Sequence, residues 1–260
     1  MYDYLTHLKA RGLADTSCKT RFLHLQRIER VLGKSLIEAS SEDLEKYLAQ
    51  AGLKREYKRS LLASMRSYYK YLQVSGKRAD NPTSELGRIK PAEPTAQPTP
   101  DIAYYRALKE ADTRDWLLIQ LAGVEGMRRG EVAQVHKRDF IEDLCGYSLL
   151  VHGKGSKERV IPLTDELARA LVQAFKESPN GYAFPGRENG HLSAAYIGKR
   201  VSRLLPEGYS MHSLRHRAAT NVHKRGRDML LTQKFLGHSS PETTQRYVHL
   251  DMEDLRKIIA

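Results

Sequence analysis

The sequence predicts a mainly α protein with a small β-hairpin or sheet, an α+β fold in two parts. Three observations predict it. Apolar residues recur at helical spacing along most of the chain. Two β-rich runs, Tyr147–His152 and Arg159–Leu163, flank a glycine-bearing turn. Five of the ten prolines fall between Pro82 and Pro100. Proline fixes φ and has no amide donor, so that stretch reads as an extended linker and not a buried element. The division expected is residues 1–85 for a helical part, 86–100 for the linker, and 101–260 for a larger part that ends in a tail helix.

The first part reads as helical throughout. Thr16 or Ser17 is placed to cap a helix with the stripe Phe22, Leu25, Ile28 and Leu32, ending at Gly33. Ser40 or Ser41 caps a second through Leu44, Tyr47 and Leu48, stopped by Gly52. A third runs from about Lys54 to Val74 on Tyr57, Leu61, Met65, Tyr68 and Leu72. In the second part, Asp112 to Val124 is an apolar helical run, and Glu131 to Val135 begins a helix after GMRRG. Beyond the hairpin, Leu163–Phe175, Ser193–Leu205, His212–Lys224 and Leu230–Leu236 read as helices. Pro241 suits the first turn of another, with Ser240 as its cap. Met252, Leu255, Ile258 and Ile259 form the apolar side of a final amphipathic tail.

Composition narrows the function. The 260 residues include Lys+Arg 43 against Asp+Glu 31, a formal charge of +12, and mean hydropathy is −0.56. No apolar run approaches the roughly 20 residues a bilayer crossing needs. MYDYLTHLKA lacks the pattern of a signal peptide, and Cys18 and Cys145 are too few and too distant for a disulfide framework. A cytoplasmic protein without membrane partners is expected. The positive excess is the footprint of a polyanion binder. Residues 1–90 hold 18 basic and 10 acidic side chains, so the shorter part carries most of that excess. Lys54, Arg55, Lys58, Arg59, Arg66 and Lys70 lie on the third helix with few interleaved acids. A face of that kind suits a DNA backbone, where lysine and arginine release condensed counterions.

Several familiar catalytic patterns are absent from the sequence: the P-loop, the dinucleotide fingerprint, HExxH and GxSxG. In their place are dispersed cations, histidines and one late tyrosine. Arg128 follows Gly126-Met127 at a helix start, and Lys154 lies at the hairpin tip. His212 and Arg215, three apart, share a helix face. His238 follows Gly237 at a helix end, and Tyr247 comes nine residues later. Each alone is weak. A helical histidine more often packs or faces solvent, and one tyrosine among 14 is uninformative.

Their order is informative. GMRRGEV, VHGKGSKERVIPL, HSLRH, LGHSS and QRYVHL together resemble the tyrosine recombinase (phage integrase) family, over essentially the whole chain. Met127 departs from the usual leucine and Gly130 from a small hydroxyl residue, and neither change removes a reactive group. The resemblance implies a helical core-binding domain before a catalytic domain, in a compact, Xer-like form without an arm-binding domain. It implies Arg128, Lys154, His212, Arg215 and His238 as the catalytic pocket and Tyr247 as nucleophile. Tyrosine attack on a DNA phosphodiester would give a 3′-phosphotyrosyl link, and recombination would pass through a Holliday junction. Arg128 and Arg215 would hold the nonbridging oxygens, and Lys154 would protonate the leaving 5′-oxygen. His212 would act as general base or acid, while His238 would hydrogen-bond the phosphate. No cofactor and no metal are implied.

The partners implied are double-stranded DNA with a specific core site, a homo-tetramer on that DNA, and room for an accessory directionality factor. The apolar stripe of the tail over Met252–Ile259 would pack in its own domain or, as the resemblance implies, dock on a neighbouring copy. Glu131 would either orient a pocket arginine or pair on a helix surface. Arg129, Lys157, Arg217 and Arg246 read as backbone contacts or surface, and His216 and His223 as structural. Two other readings share the fold: a type IB topoisomerase that rejoins the original strand, and a catalytically silent DNA-binding regulator.

Overall fold

The computed structural model describes residues 1–91, 97–144, 146–153 and 157–237. The chain divides into two compact units, Met1–Glu93 and Pro94–Ala260. The first is built from α1 (Tyr2–Ala10), α2 (Asp15–Leu32), α3 (Ser41–Ala49) and α4 (Arg55–Val74). The expected stripes meet in its core: Leu25 and Ile28 from α2, Leu44 and Tyr47 from α3, Leu61, Met65 and Leu72 from α4. Tyr4 from α1 joins them, in a helix that the apolar pattern had not singled out. Polar groups taken into this core find partners, as burial requires. His24 Nδ1 lies 2.9 Å from the Ser64 hydroxyl, and the Tyr69 hydroxyl donates to the Leu36 carbonyl at 2.8 Å.

The helix ends differ in detail from the expectation. Ser40 caps α3 by accepting from the Asp43 amide, and the Asp43 carboxylate accepts from the Ser40 amide in return. At α2 neither Thr16 nor Ser17 is the cap. The helix starts at Asp15 behind Ala14, and its first turn is supported by an acidic residue near the positive end of the helix dipole. Gly33 closes α2 in the left-handed conformation, as expected. The basic residues of α4 are exposed, except that Lys58 is half-buried and Lys54 is the cap residue. Arg59 pairs with Glu56, and Arg66 donates to the Leu86 carbonyl.

The proline-rich stretch is less solvent-borne than expected. Thr83 and Leu86 are buried in the first unit. Thr99 is buried in the second, donating its amide to the Ser213 carbonyl at 3.1 Å while the two hydroxyls bond at 2.9 Å. Proline spacing reports missing donors, but it does not reveal the apolar and hydroxyl residues that anchor such a segment at its ends.

The second unit contains α5 (Asp101–Glu110), α6 (Thr113–Gly123), α7 (Arg129–Ala133), β1 (Phe140–Asp143), β2 (Gly146–His152), β3 (Glu158–Leu163), α8 (Asp165–Glu177), β4 (Pro185–Glu188), α9 (Ala194–Leu204), α10 (Met211–Gly226) and α11 (Met229–Leu236). The hairpin is part of a three-stranded antiparallel sheet of order β1-β2-β3, with Leu149 opposite both Phe140 and Ile161. Leu149, Val151 and Ile161 point inward, with β2 packed on α8 and α8 on α6, consistent with the period-2 alternation of a half-buried sheet. At the centre is α6, whose Leu117, Leu118, Ile119, Leu121 and Ala122 are all buried. Its start is capped by Asp112, and the buried Asp115 on the first turn accepts from Arg200 of α9, Nε to Oδ1 at 3.0 Å and Nη2 to Oδ2 at 2.6 Å. That bidentate pair fixes α9 beside α6. Among the described residues no helix is long and apolar enough to cross a membrane.

Arg217 is neither a surface residue nor placed to contact a DNA backbone. It is buried on α10, donates Nε to Asp101 at 2.9 Å and Nη1 to the Gly123 carbonyl at 3.1 Å, and its guanidinium lies 3.7 Å from the centre of the Tyr104 ring. Burial, opposed by Arg217, pushes the Tyr104 phenol up to about 12. One guanidinium thus joins α5, the end of α6 and α10. Replacing it removes a cation–π contact and leaves a buried carbonyl without its donor. Arg217→Ala is therefore expected to lower the stability of this unit by about 2 kcal/mol, read from the midpoint shift in urea denaturation. An unchanged midpoint would refute this tie.

Candidate active site

Three segments distant in sequence converge at the amino-terminal ends of α7 and α10. Gly126 makes the turn between α6 and α7. Its φ of +61° is open to glycine at little cost, and a Cβ there would approach Phe235 at 3.0 Å and Leu236 at 3.1 Å. The chain can therefore pass close beneath α11 and deliver Arg128 to the start of α7. Glu131, three residues on, accepts the Arg128 amide at 2.9 Å and its Nη1 at 2.8 Å. Ser210 starts α10 by accepting the His212 amide at 3.2 Å, while the Ser213 hydroxyl accepts from the Ser210 amide at 2.8 Å. His212 is thereby held in the first turn, with Arg215 one turn deeper.

Arg128, Ser210, His212 and Arg215 line a cavity of about 780 Å³. Arg128, Arg129, His212 and Arg215 form one side; α9 supplies the other through Ala195, Gly198, Lys199 and Ser202. The small residues of α9 leave room, and Arg129 packs its stem along Gly198. Arg215 is almost fully buried; its guanidinium bonds to the Gly126 carbonyl and donates Nη2 to the Leu236 carbonyl at 2.7 Å. Arg128 keeps 40% of its side chain exposed. One arginine is thus locked in the floor and the other reaches into the opening.

Glu131 takes the first of its two expected alternatives: it is a buried anion and not a surface partner. Its side chain is 4% exposed, and it collects Arg128, both Nη atoms of Arg159 (3.1 and 2.8 Å) and, at 3.9 Å, Arg215. Burial raises the carboxyl, but hydrogen bonds from Arg159 and the Arg128 amide, with the nearby guanidinium charge, outweigh it and hold the group below its ordinary range. His212 shifts the same way for a different reason. Crowding by the pocket walls, then the charges of Arg215 and Arg128, disfavour its protonated form. Its ring makes an edge contact with His216, centroids 4.2 Å apart.

Arg128, His212 and Arg215 are brought together in this cavity. Lys154, His238 and Tyr247 lie outside the described residues, as do Arg246, the Pro241 helix start and the tail over 252–259. Lys157 is exposed. The sequence reading did not single out Lys199, which lines the cavity, or Arg159, which organises Glu131. A signal for Arg159 exists in KERVIPL, where a strand alternating exposed and buried positions carries an arginine on a half-buried one. Among the described residues no group of three His, Cys, Asp or Glu side chains is placed to hold a metal ion.

A cavity that gathers guanidinium groups around an imidazole, on a mainly helical domain with a small sheet, has the donors that suit a phosphate group. Residues 101–254 match the phage integrase family model. The chain is 30% identical over 263 residues to tyrosine recombinase XerD of Rhizobium meliloti (strain 1021), covering 88% of this chain and 82% of that protein. It is 31% identical over 258 residues to tyrosine recombinase XerC of Bradyrhizobium diazoefficiens, covering 89% and 80%. The fold is similar to that of the XerH site-specific recombinase bound to palindromic difH substrate, with a TM-score of 0.74 at 22% identity over 96% of this chain and 81% of that one. A lambda integrase tetramer bound to a Holliday junction gives 0.75 at 17% identity, covering 95% and 75%. The chain belongs to the phage integrase family, and it is a tyrosine-type site-specific recombinase.

The His212 environment has a measurable consequence. Because the folded chain lowers this pKa, the unfolded chain binds the proton first. The contribution is present in full above the ordinary value of 6.5 and is lost as pH falls from there through the folded value. In a histidine-resolved NMR titration, His212 should titrate below 6.5, and Arg128→Ala should move its midpoint up. A His212 midpoint at or above 6.5 would contradict the geometry.

Proposed function

We propose that this recombinase cuts and rejoins DNA at a specific core site through Tyr247, with Arg128, Lys154, His212, Arg215 and His238 as the pocket around the scissile phosphate. The observation that carries the reading is the convergence of Arg128, His212 and Arg215, separated by up to 87 residues in sequence, on one cavity. The Tyr247 oxygen bonds to phosphorus, the bond to the 5′-oxygen breaks, and a 3′-phosphotyrosyl link and a 5′-hydroxyl result. A phenol of pKa about 10 is only about a thousandth ionised at neutral pH, so its proton needs an acceptor or its anion a positive field. His212, kept neutral, accepts that proton, and Lys154 gives one to the leaving oxygen. Arg128 and Arg215 meet the charge developing on the nonbridging oxygens, an effect of about 3–4 kcal/mol per preorganised donor. His238 hydrogen-bonds the phosphate. A partner strand's 5′-hydroxyl then reverses the step through a Holliday junction, which retains the bond energy without a cofactor.

The exposed basic face of α4 meets the DNA backbone in this reading, and Arg129 and Lys199 extend the positive cavity toward adjacent phosphates. Four copies act on two duplexes, by analogy with the lambda integrase tetramer bound to a Holliday junction.

The test incubates the purified chain with sheared genomic DNA, denatures it, captures protein-linked fragments and sequences their ends. Adducts at a few defined ends are expected, absent for Tyr247→Phe and slowed about 10²- to 10³-fold by Arg128→Ala. Adducts scattered over sequence would instead point to topoisomerase-like relaxation, and adducts that persist in Tyr247→Phe would reject the nucleophile. For the α4 face, Arg55→Gln with Lys70→Gln should weaken DNA binding on all sequences alike. The salt dependence of log K should become shallower by about one per phosphate contact removed; an unchanged slope would place the DNA elsewhere.

A further inference from the structure

We propose that Arg159 is a positioning residue for the recombination reaction, which occupies Glu131 so that Arg128 stays free to engage phosphate. The inference rests on the active-site reading above and deepens it.

Arg159 projects from β3 with 10% of its side chain exposed, so the described protein around it, and not solvent, determines what it does. Its guanidinium is used on both edges. Nη1 and Nη2 take one oxygen each of Glu131, the paired geometry that fits a guanidinium to a carboxylate, and Nε donates to the Phe235 carbonyl at 3.0 Å. Arg215 holds the next carbonyl along, that of Leu236. Two arginines from different elements thus clasp successive carbonyls at the end of α11. The chain then turns through Gly237 at φ +63°, where a Cβ would meet the Arg159 stem at 3.0 Å.

The effect on Arg128 follows from how a carboxylate shares its acceptors. Glu131 Oε1 receives Nη1 of both Arg128 and Arg159; Oε2 receives the Arg128 amide and Arg159 Nη2. With Arg159 in place, Arg128 holds Glu131 through a single guanidinium nitrogen, and its side chain, 40% exposed, lines the cavity. Without Arg159, the buried carboxylate loses two of its four hydrogen bonds. Arg128 is the exposed cation beside it, and the charge-assisted pair is completed by drawing that guanidinium down onto both oxygens. The pocket would keep its overall shape and its arginine but lose the donors aimed at phosphate. Lysine in place of Arg159 restores the charge without the fork, so it compensates in part.

The test uses the full chain and a duplex built on the site recovered by adduct sequencing, with single-turnover cleavage rates at saturating protein and DNA affinity measured separately. Saturation makes the rate independent of the fraction of chains that fold, and Arg159→Lys serves if Arg159→Met does not fold. The expected result is a cleavage rate about 10²-fold lower for Arg159→Met, in line with misplacement of a reacting group by about 1 Å. DNA affinity should stay within about threefold, and Arg159→Lys should fall between. In a Glu131→Gln background the Arg159 substitution should add less than about threefold, because a residue acting through Glu131 has nothing left to act on. Equal losses in rate and affinity, or losses that multiply in the double variant, would overturn the proposal. An Arg128→Ala control that cleaves at the normal rate would instead overturn the active-site reading on which it rests.

Discussion

The second unit depends on one buried anion. Glu131 is placed where three guanidinium groups would otherwise repel each other, and it is reached from α7, β3 and α10. Taking a carboxylate out of water costs several kcal/mol unless its lone pairs are met, and removing one partner of such a cluster is far more damaging than the cluster's net worth implies. Four hydrogen bonds meet that condition here. The anion also gives the cavity its asymmetry. Arg215 and Arg159 are internal to the protein, while Arg128 is internal at one edge and exposed at the other.

Backbone conformation makes this arrangement reachable. Gly126 and Gly237 are both left-handed, and both lie where α11 comes down on the α6–α7 turn. A side chain at either would push α11 away from the guanidinium groups that hold its last carbonyls. The end of α11 is therefore set by Arg215, which also lines the cavity, and by Arg159 behind it, so helix position and cavity shape cannot be varied independently. The Asp115–Arg200 pair does for the opposite wall what Glu131 does for the floor: it fixes α9, so that its small residues face the cations across an open space.

Much of this was legible in the sequence, and what was not has physical reasons. Long helices with 3.6-residue apolar periods, α2, α4, α6 and α10 among them, declare themselves because one face must be buried. The strand β1 is four residues, FIED, too short and too polar to carry a period, and it is stabilised by pairing with β2. The site's outline came from motif order, which fixes Arg128, His212 and Arg215 without reporting what each touches. Arg217 shows the gap: two residues past Arg215 on the same helix, it has the same residue type and charge, but it faces Tyr104 and Asp101 instead of the cavity. Arg159 was hidden by distance, since its partners are 28 and 76 residues away in sequence.

In the proposed reaction the same charges act on both the histidine and the tyrosine. Arg128, Arg129, Lys199 and Arg215 line the cavity, Arg159 lies behind, and Glu131 is the one carboxylate described among them. Burial first, and then this positive charge, disfavours a second proton on His212, so the imidazole stays neutral near neutral pH. The charge favours the anion of any phenol brought into the cavity, for which desolvation alone would do the reverse, as at Tyr104 and Tyr69. Tyr104 and Tyr69, buried away from this cavity, are poorer acids than in water. Fixed positive charge thus keeps His212 neutral and favours anionic oxygen in the cavity, and the same charge makes the imidazole a weaker base, so the two effects oppose each other along one proton transfer.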